Sequence, residues 1–259
     1  MESTSPVTLP MPRYHRWLPY FAVLQTDIRQ TLRSWIFRLW LLVTVGAAVG
    51  YILYKLGIYR EAGLIQKASI LTTDLIRGII YGSMAMIAML TVSSIASERG
   101  TLADSVLCRG ISRSQYYLAK WHARLIVILG TFSLISLGVF VSAITFINEE
   151  LSWRGGLTAI LLLTMLLASM VSMGVAISGM CHSSIMGISI LLLILYGGSF
   201  ALQLLPDSVP SPDRLLAMMP TLLRGQMDSN MITTVLTSSL VLSLATGFGG
   251  LIGFTRRDL

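Results

Sequence analysis

The chain has 259 residues, of which 54% are hydrophobic and only 12% charged, and a formal net charge of +7. That balance excludes an ordinary soluble domain and makes the bilayer the better solvent. A spanning helix needs roughly 20 mostly apolar residues, and several windows reach that length.

In chain order, residues 1–18 carry Pro6, Pro10 and Pro12 and read as a loose tail. From Pro19, a residue suited to a helix's first turn, Phe21, Leu24, Ile28, Leu32 and Trp35 recur at steps of three or four. Asp27, Arg29, Gln30 and Arg33 fall on the other side. The segment 19–35 is therefore expected to be an amphipathic helix lying in the membrane interface.

Residues 36–259 read as an all-α membrane domain with spans at about 36–54, 76–97, 124–148, 156–180, 184–205 and 231–254. The stretch between Arg154 and Asp207 has no formal charge and is too long for one span. Its only polar interruption, Met180 to Ser184, marks a turn between two spans. Before the last span, Pro206, Pro210, Pro212 and Pro220 punctuate a segment too short and too charged to cross. Half-helices dipping into the outer leaflet and ordinary surface helices explain it equally well. Small residues in the spans, including the Gly249 and Gly253 pair at G-x-x-x-G spacing, suit internal helix packing.

Six spans put both termini on one side. With that side cytoplasmic, the inner segments hold Arg13, Arg16, Arg29, Arg33, Arg99, Arg109, Arg113, Lys120, Arg124, Arg256 and Arg257, while acids gather outside. The positive-inside rule favours this orientation. The basic balance then records topology and anionic-lipid contact, with no nucleic-acid partner expected. Cys108 and Cys181 both fall on the reducing side, so no disulfide is expected.

Enzyme chemistry finds little to work with. His15, His122 and His182 lie outside the deep parts of the spans, and no cluster of His, Cys, Asp or Glu has metal-ligand spacing. Met84, Met86 and Met89 read as packing residues. There is no P-loop motif, so any ATP must be bound by another chain. Mid-membrane acids, which ion-coupled carriers usually keep, are also absent.

The loop 97–124 is the most informative stretch. Thr101 with Asp104, and Ser112 with Gln115, have capping-box spacing, and Gly110 after Arg109 suits a helix C-terminus. This predicts a short helix over about 102–109, a glycine break, and a second helix running into the third span. Leu102 and Val106 share one side of the short helix. On span two, Thr91, Ser93 and Ser94 could line a path or serve as interhelical glue, and glue is favoured.

The quoted residues "ERGTL" at Glu98 to Leu102 and "ISRSQYYLAKW" at Ile111 to Trp121 resemble the first intracellular loop of type-2 ABC exporter permeases. The entry helix, the six spans, the Pro-containing outer segment and the basic tail "FTRRDL" extend that resemblance over the whole chain. "MPTLLR" at Met219 to Arg224 is similar to a segment in permeases of nitrous-oxide-reductase maturation systems. One departure is Arg99, which stands where some relatives carry a second acid before the glycine.

The resemblance implies a half-transporter in a prokaryotic cytoplasmic membrane, with a coupling helix between spans 2 and 3. It would pair with a second permease copy, identical or similar, and with a separate ATPase subunit that binds Mg-ATP, so that this chain holds no cofactor of its own. Membrane lipid and an accessory periplasmic or membrane protein are further implied partners. Glu98, Arg99, Gly100, Thr101, Leu102, Asp104 and Val106 would form the ATPase-coupling element, and Arg109, Gly110, Ser112, Arg113 and Lys120 would position it. Pro220 and Arg224 would belong to an outer gate. The alternative is a non-transporting anchor or assembly factor that only recruits a cytoplasmic partner.

Overall fold

The computed structural model describes residues 17–62, 67–98, 111–146, 151–181, 183–203, 212–226 and 229–256. Among them the chain forms helices and no strand: α1 (Leu18–Arg33), α2 (Trp35–Ala62), α3 (Ala68–Ala96), α4 (Arg113–Phe146), α5 (Trp153–Met180), α6 (Ser184–Gln203), α7 (Pro212–Leu223) and α8 (Ser229–Arg256). Five of these, α2, α3, α4, α5 and α8, are long and apolar enough to cross a membrane. The 28 residues of α5 correspond to ~42 Å at 1.5 Å per residue, more than the hydrocarbon core requires. The predicted fifth span coincides with α6, which is apolar from Ser184 to Gly198.

Helix ends follow local chemistry. α1 starts with Pro19 in its first turn and stops at Ser34, whose N–H donates to the Gln30 and Thr31 carbonyls while its ψ of 130° turns the chain out of the helix. α2 begins at the next residue, so only the non-helical Ser34 separates α1 from α2. Ser152 caps α5 by accepting from the Gly155 N–H. The N-terminal cap expected at Ser112 is also present, with its Oγ accepting from the Gln115 N–H at 3.2 Å. In the turn that follows α7, Gly225 has a φ of +78°, the left-handed conformation that favours glycine.

The bundle is organised around α5, which packs against α3, α4, α6, α7 and α8. Its apolar window is 67% buried, against 17% for that of α2. The main core draws Phe37 and Trp40 from α2, Ile76 and Ile80 from α3, Phe132 and Phe140 from α4, Leu163 and Leu167 from α5, and Leu215 and Met219 from α7.

Where α5 and α8 meet, Ser172 and Ser243 share a hydrogen bond of 2.8 Å. The Trp121 indole N–H donates to the same Ser172 at 2.9 Å. The glycines that make this approach possible are Gly247, against the Trp121 ring, and Gly250, where an added Cβ would lie 2.7 Å from the Ala176 Cα. Gly249 faces open space. The tight register is therefore Ser243, Gly247, Gly250 and Phe254, one residue off the Gly249 and Gly253 pair that the sequence pattern suggested.

In the segment before the last span, the described residues form one helix, α7, packed on α3 and α5. α7 is amphipathic and buries Leu215, Leu216, Met219, Leu222 and Leu223. Two polar anchors tie it to α3: the Tyr81 hydroxyl donates to Asp213 Oδ1 at 2.5 Å, and Arg224 Nη2 donates to Ser69 Oγ at 3.2 Å. Pro220 lies inside the helix, half-buried. Lacking an N–H, it leaves the Leu216 carbonyl without its helical partner.

Candidate functional site

Glu98 just after α3 and Ile111 just before α4 are the described residues that flank positions 99–110. Arg99, Gly100, Thr101, Leu102, Asp104, Val106, Arg109 and Gly110 lie outside the described residues. The two segments that flank them are joined by a cluster of charges.

On α4, Tyr116, Lys120 and Arg124 follow one another at steps of four and so share one side of the helix. The Tyr116 hydroxyl donates to Glu98 Oε2 at 2.6 Å, and Lys120 Nζ donates to Glu98 Oε1 at 2.6 Å. These two bonds fasten the end of α3 to the start of α4. Lys120 Nζ also lies 3.0 Å from Asp27 Oδ1 on α1. Arg124 reaches the same oxygen at 3.5 Å and donates a second hydrogen bond to the Thr31 hydroxyl. The Thr31 hydroxyl in turn donates to the Asp27 backbone carbonyl at 2.7 Å.

Two carboxylates and two cations thus balance within one cluster that holds three helices. Asp27 is 2% exposed, Lys120 3% and Arg124 8%. Isolated charges at such burial would be costly, and mutual pairing with added hydrogen bonds is what makes them tolerable. Around the cluster sits an aromatic shell of Tyr116, Tyr117, Trp121 and Phe254, with Ile95 and Val175. Phe254 near the end of α8 stacks on Tyr116, so the last span also reaches this base.

Two readings of the sequence are corrected here. Asp27 was expected on the polar outer side of the interfacial helix with Arg29, Gln30 and Arg33, yet it faces inward, while Phe21, Leu32 and Trp35 are exposed. The physical reason is that α1 packs on α4, which presents two cations to it. The anionic-lipid contact expected of the basic residues does not hold for Lys120 and Arg124, which face these internal carboxylates instead. Asp27, Thr31 and Tyr116 were missed as site residues. The stripe of Tyr116, Lys120 and Arg124 was the one available signal.

Burial pushes the Glu98 carboxyl up, but the Lys120 charge and the hydrogen bonds from Lys120 and Tyr116 outweigh it and hold Glu98 below its ordinary value of 4.5. A carboxylate whose folded pKa is depressed stabilises the fold above its unfolded pKa, and that contribution is lost as pH falls through the folded pKa. The melting-temperature gap between the parent chain and Glu98→Gln in detergent is therefore expected to be constant near neutrality and to close below pH 4.5. A gap independent of pH down to acid unfolding would contradict this pairing.

The remaining predicted residues are placed as follows. Arg113 is the first residue of α4, beside the capping Ser112. Thr91 and Ser94 are buried, and their hydroxyls donate to the Ile87 and Thr91 carbonyls of their own helix at 2.7 Å each. Ser93 is half-buried, with its hydroxyl 3.5 Å from the Leu90 carbonyl. The bond between helices belongs instead to Ser178 of α5, whose Oγ accepts from the Ile95 and Ala96 N–H groups and donates to the Val92 carbonyl. Gly174 lets α5 approach closely at Thr91.

Fold and site together define a multi-pass helical membrane protein with a charge-clamped loop base between its second and third long helices. The family model described as ABC-2 type transporter matches residues 19–206, well over half of the chain, and the chain belongs to that family. It is accordingly a permease subunit of an ABC transporter, a class that works with an ATPase partner. No curated protein matches the chain.

Proposed function

We propose that this chain is the membrane half of an ATP-driven exporter, working as a pair in the cytoplasmic membrane with both termini inside. A separate ATPase subunit binds Mg-ATP and docks on residues 99–110, with Leu102 and Val106 as the apolar contact and Thr101 and Asp104 starting the helix. The chain performs no chemistry itself. Pro220 and Arg224, in and just after α7, belong to the outer gate.

The observation that carries this reading is the clamp of Glu98 with Tyr116, Lys120 and Asp27. A push delivered to a flexible tether would dissipate, whereas a push on a loop whose two roots are bonded together moves α1, α3 and α4 as one body. Such a base suits transmission of a partner's closure better than simple recruitment, which needs no rigid root.

The test is assembly with the cognate ATPase. Leu102→Glu and Thr101→Lys are expected to reduce co-purification of the ATPase with the permease by about tenfold or more, which corresponds to ~1.4 kcal/mol. Full assembly by both variants would rule out the docking role of this loop.

A further inference from the structure

α2 is the least covered of the candidate spans. Between it and α3 runs an open groove of about 750 Å³. Trp40 ties the two helices together, its indole N–H donating to Ser83 Oγ at 2.9 Å. Leu39 and Val43 line the α2 side and are exposed. On the α3 side, Gly78 and Gly82 are one turn apart, and an added Cβ at either would meet nothing within 4 Å. Two successive turns without a side chain leave an open, apolar bed for a hydrocarbon chain.

One residue breaks this pattern. Asp74 lines the same groove one turn before Gly78 and is exposed. Among the described residues no cation lies within ion-pairing distance of it. Arg77 lies over the Tyr81 ring, 5.8 Å from its centroid, and neither of those two residues lines the groove. An ionised carboxylate beside hydrocarbon is costly and usually has a partner facing it.

The level of Asp74 in the bilayer narrows what that partner is. The 29 residues of α3 correspond to ~44 Å, the thickness of a bilayer with its headgroups. Asp74 lies in the second turn, ~9 Å from the helix start, close to where ~30 Å of hydrocarbon centred on the helix would begin. From Asp74 to Met89 the lining runs ~22 Å along α3, more than the ~15 Å of one hydrocarbon leaflet. A polar end at headgroup depth above an apolar bed of that length matches a phospholipid.

The same residues select the headgroup. A primary ammonium donates up to three hydrogen bonds, and the Asp74 carboxylate and the Tyr51 hydroxyl, both in the groove lining, are acceptors for it. A quaternary ammonium donates none and is held by aromatic faces. The Tyr51 ring is already engaged by Lys55, whose Nζ lies 5.5 Å from its centroid. Lys55 is one turn beyond Tyr51 on α2 and supplies a cation for a lipid phosphate. An anionic headgroup without an ammonium would set like charges together at Asp74.

We propose that the groove between α2 and α3 binds a phospholipid with a primary-ammonium headgroup, its ammonium on Asp74, its phosphate toward Lys55 and an acyl chain laid along Gly78 and Gly82.

The experiment is native mass spectrometry of the full-length chain in detergent, with phosphatidylethanolamine, phosphatidylcholine or phosphatidylglycerol of identical tails added. The parent is expected to bind phosphatidylethanolamine about tenfold more tightly than either of the others. Asp74→Asn is expected to bring phosphatidylethanolamine down to the phosphatidylcholine level. Gly78→Leu, which fills the bed where space is open, is expected to weaken all three lipids alike. Arg77→Gln, outside the groove, is expected to bind as the parent does. Melting temperatures of the variants close to the parent's separate lost binding from lost folding. Equal binding of the three lipids by the parent would overturn the proposal and leave the groove to unselective lipid tails. Retained preference for phosphatidylethanolamine in Asp74→Asn, or parent-level binding in Gly78→Leu, would overturn it as well.

Discussion

Replacement of Asp27 by alanine is expected to destabilise the chain by about 3–5 kcal/mol, because it leaves buried cations without their counter-charge. Lys120 keeps Glu98 as a partner, but Arg124 retains only the Thr31 hydroxyl among the contacts described above. The effect is read as a lower unfolding midpoint in detergent. Arg29→Ala, on the exposed side of the same helix, is the control and is expected within about 0.5 kcal/mol of the parent. Equal, small effects at both positions would mean that α1 is only a surface attachment. Asp27→Asn keeps the shape and one acceptor while removing the charge, so its cost separates the ionic part from the hydrogen bond.

The second large effect concerns the seam between α5 and α8. Gly250→Val places a branched side chain where the Tyr117 hydroxyl and the Ala176 backbone already lie. Backbone cannot yield as a flexible side chain can, so the helices must separate, and overpacking of this kind costs about 1–3 kcal/mol or more. Separation would also strain the hydrogen bond between Ser172 and Ser243 one to two turns away. Gly249→Val faces open space and is expected to be near neutral. The two neighbours thus make a sharp pair for thermal unfolding in detergent. Comparable losses at both would contradict the observed register, and a loss at Gly249 alone would restore the G-x-x-x-G reading.

The long helices were legible from the sequence because they rest on the simplest signal, runs of apolar residues longer than the bilayer is thick. The cap at Ser112 was legible too, since its partner is only three residues away. Relations across the fold were not. Asp27 and Lys120 are ninety-three residues apart, and a carboxylate on an amphipathic helix looks the same in sequence whether water or a buried ammonium faces it. The glycine register on α8 failed for a related reason. Several glycines sit within seven residues of Gly247, and only the neighbouring helix decides which of them bear the contact. α7 fits two readings in sequence because seven of its twelve residues are apolar either way. Its anchors, Tyr81 and Ser69, lie on a helix more than a hundred residues earlier.

The charge clamp also explains why so basic a stretch can sit at the edge of an apolar bundle. Lys120 and Arg124 do not add to a surface field, since Asp27 and Glu98 neutralise them internally. The segments that flank residues 99–110 therefore form a base that is electrically balanced, aromatic-lined and bonded to three helices.

The central claim is that this root transmits force, and the most direct measurement is ATP hydrolysis by the partner ATPase in proteoliposomes containing the Glu98→Ala permease. The account predicts that the ATPase still assembles, because residues 99–110 are unchanged, while permease-stimulated hydrolysis falls about tenfold or more, equivalent to ~1.4 kcal/mol of lost coupling. Stimulated hydrolysis at the parent level, with the clamp removed and the ATPase bound, would contradict it.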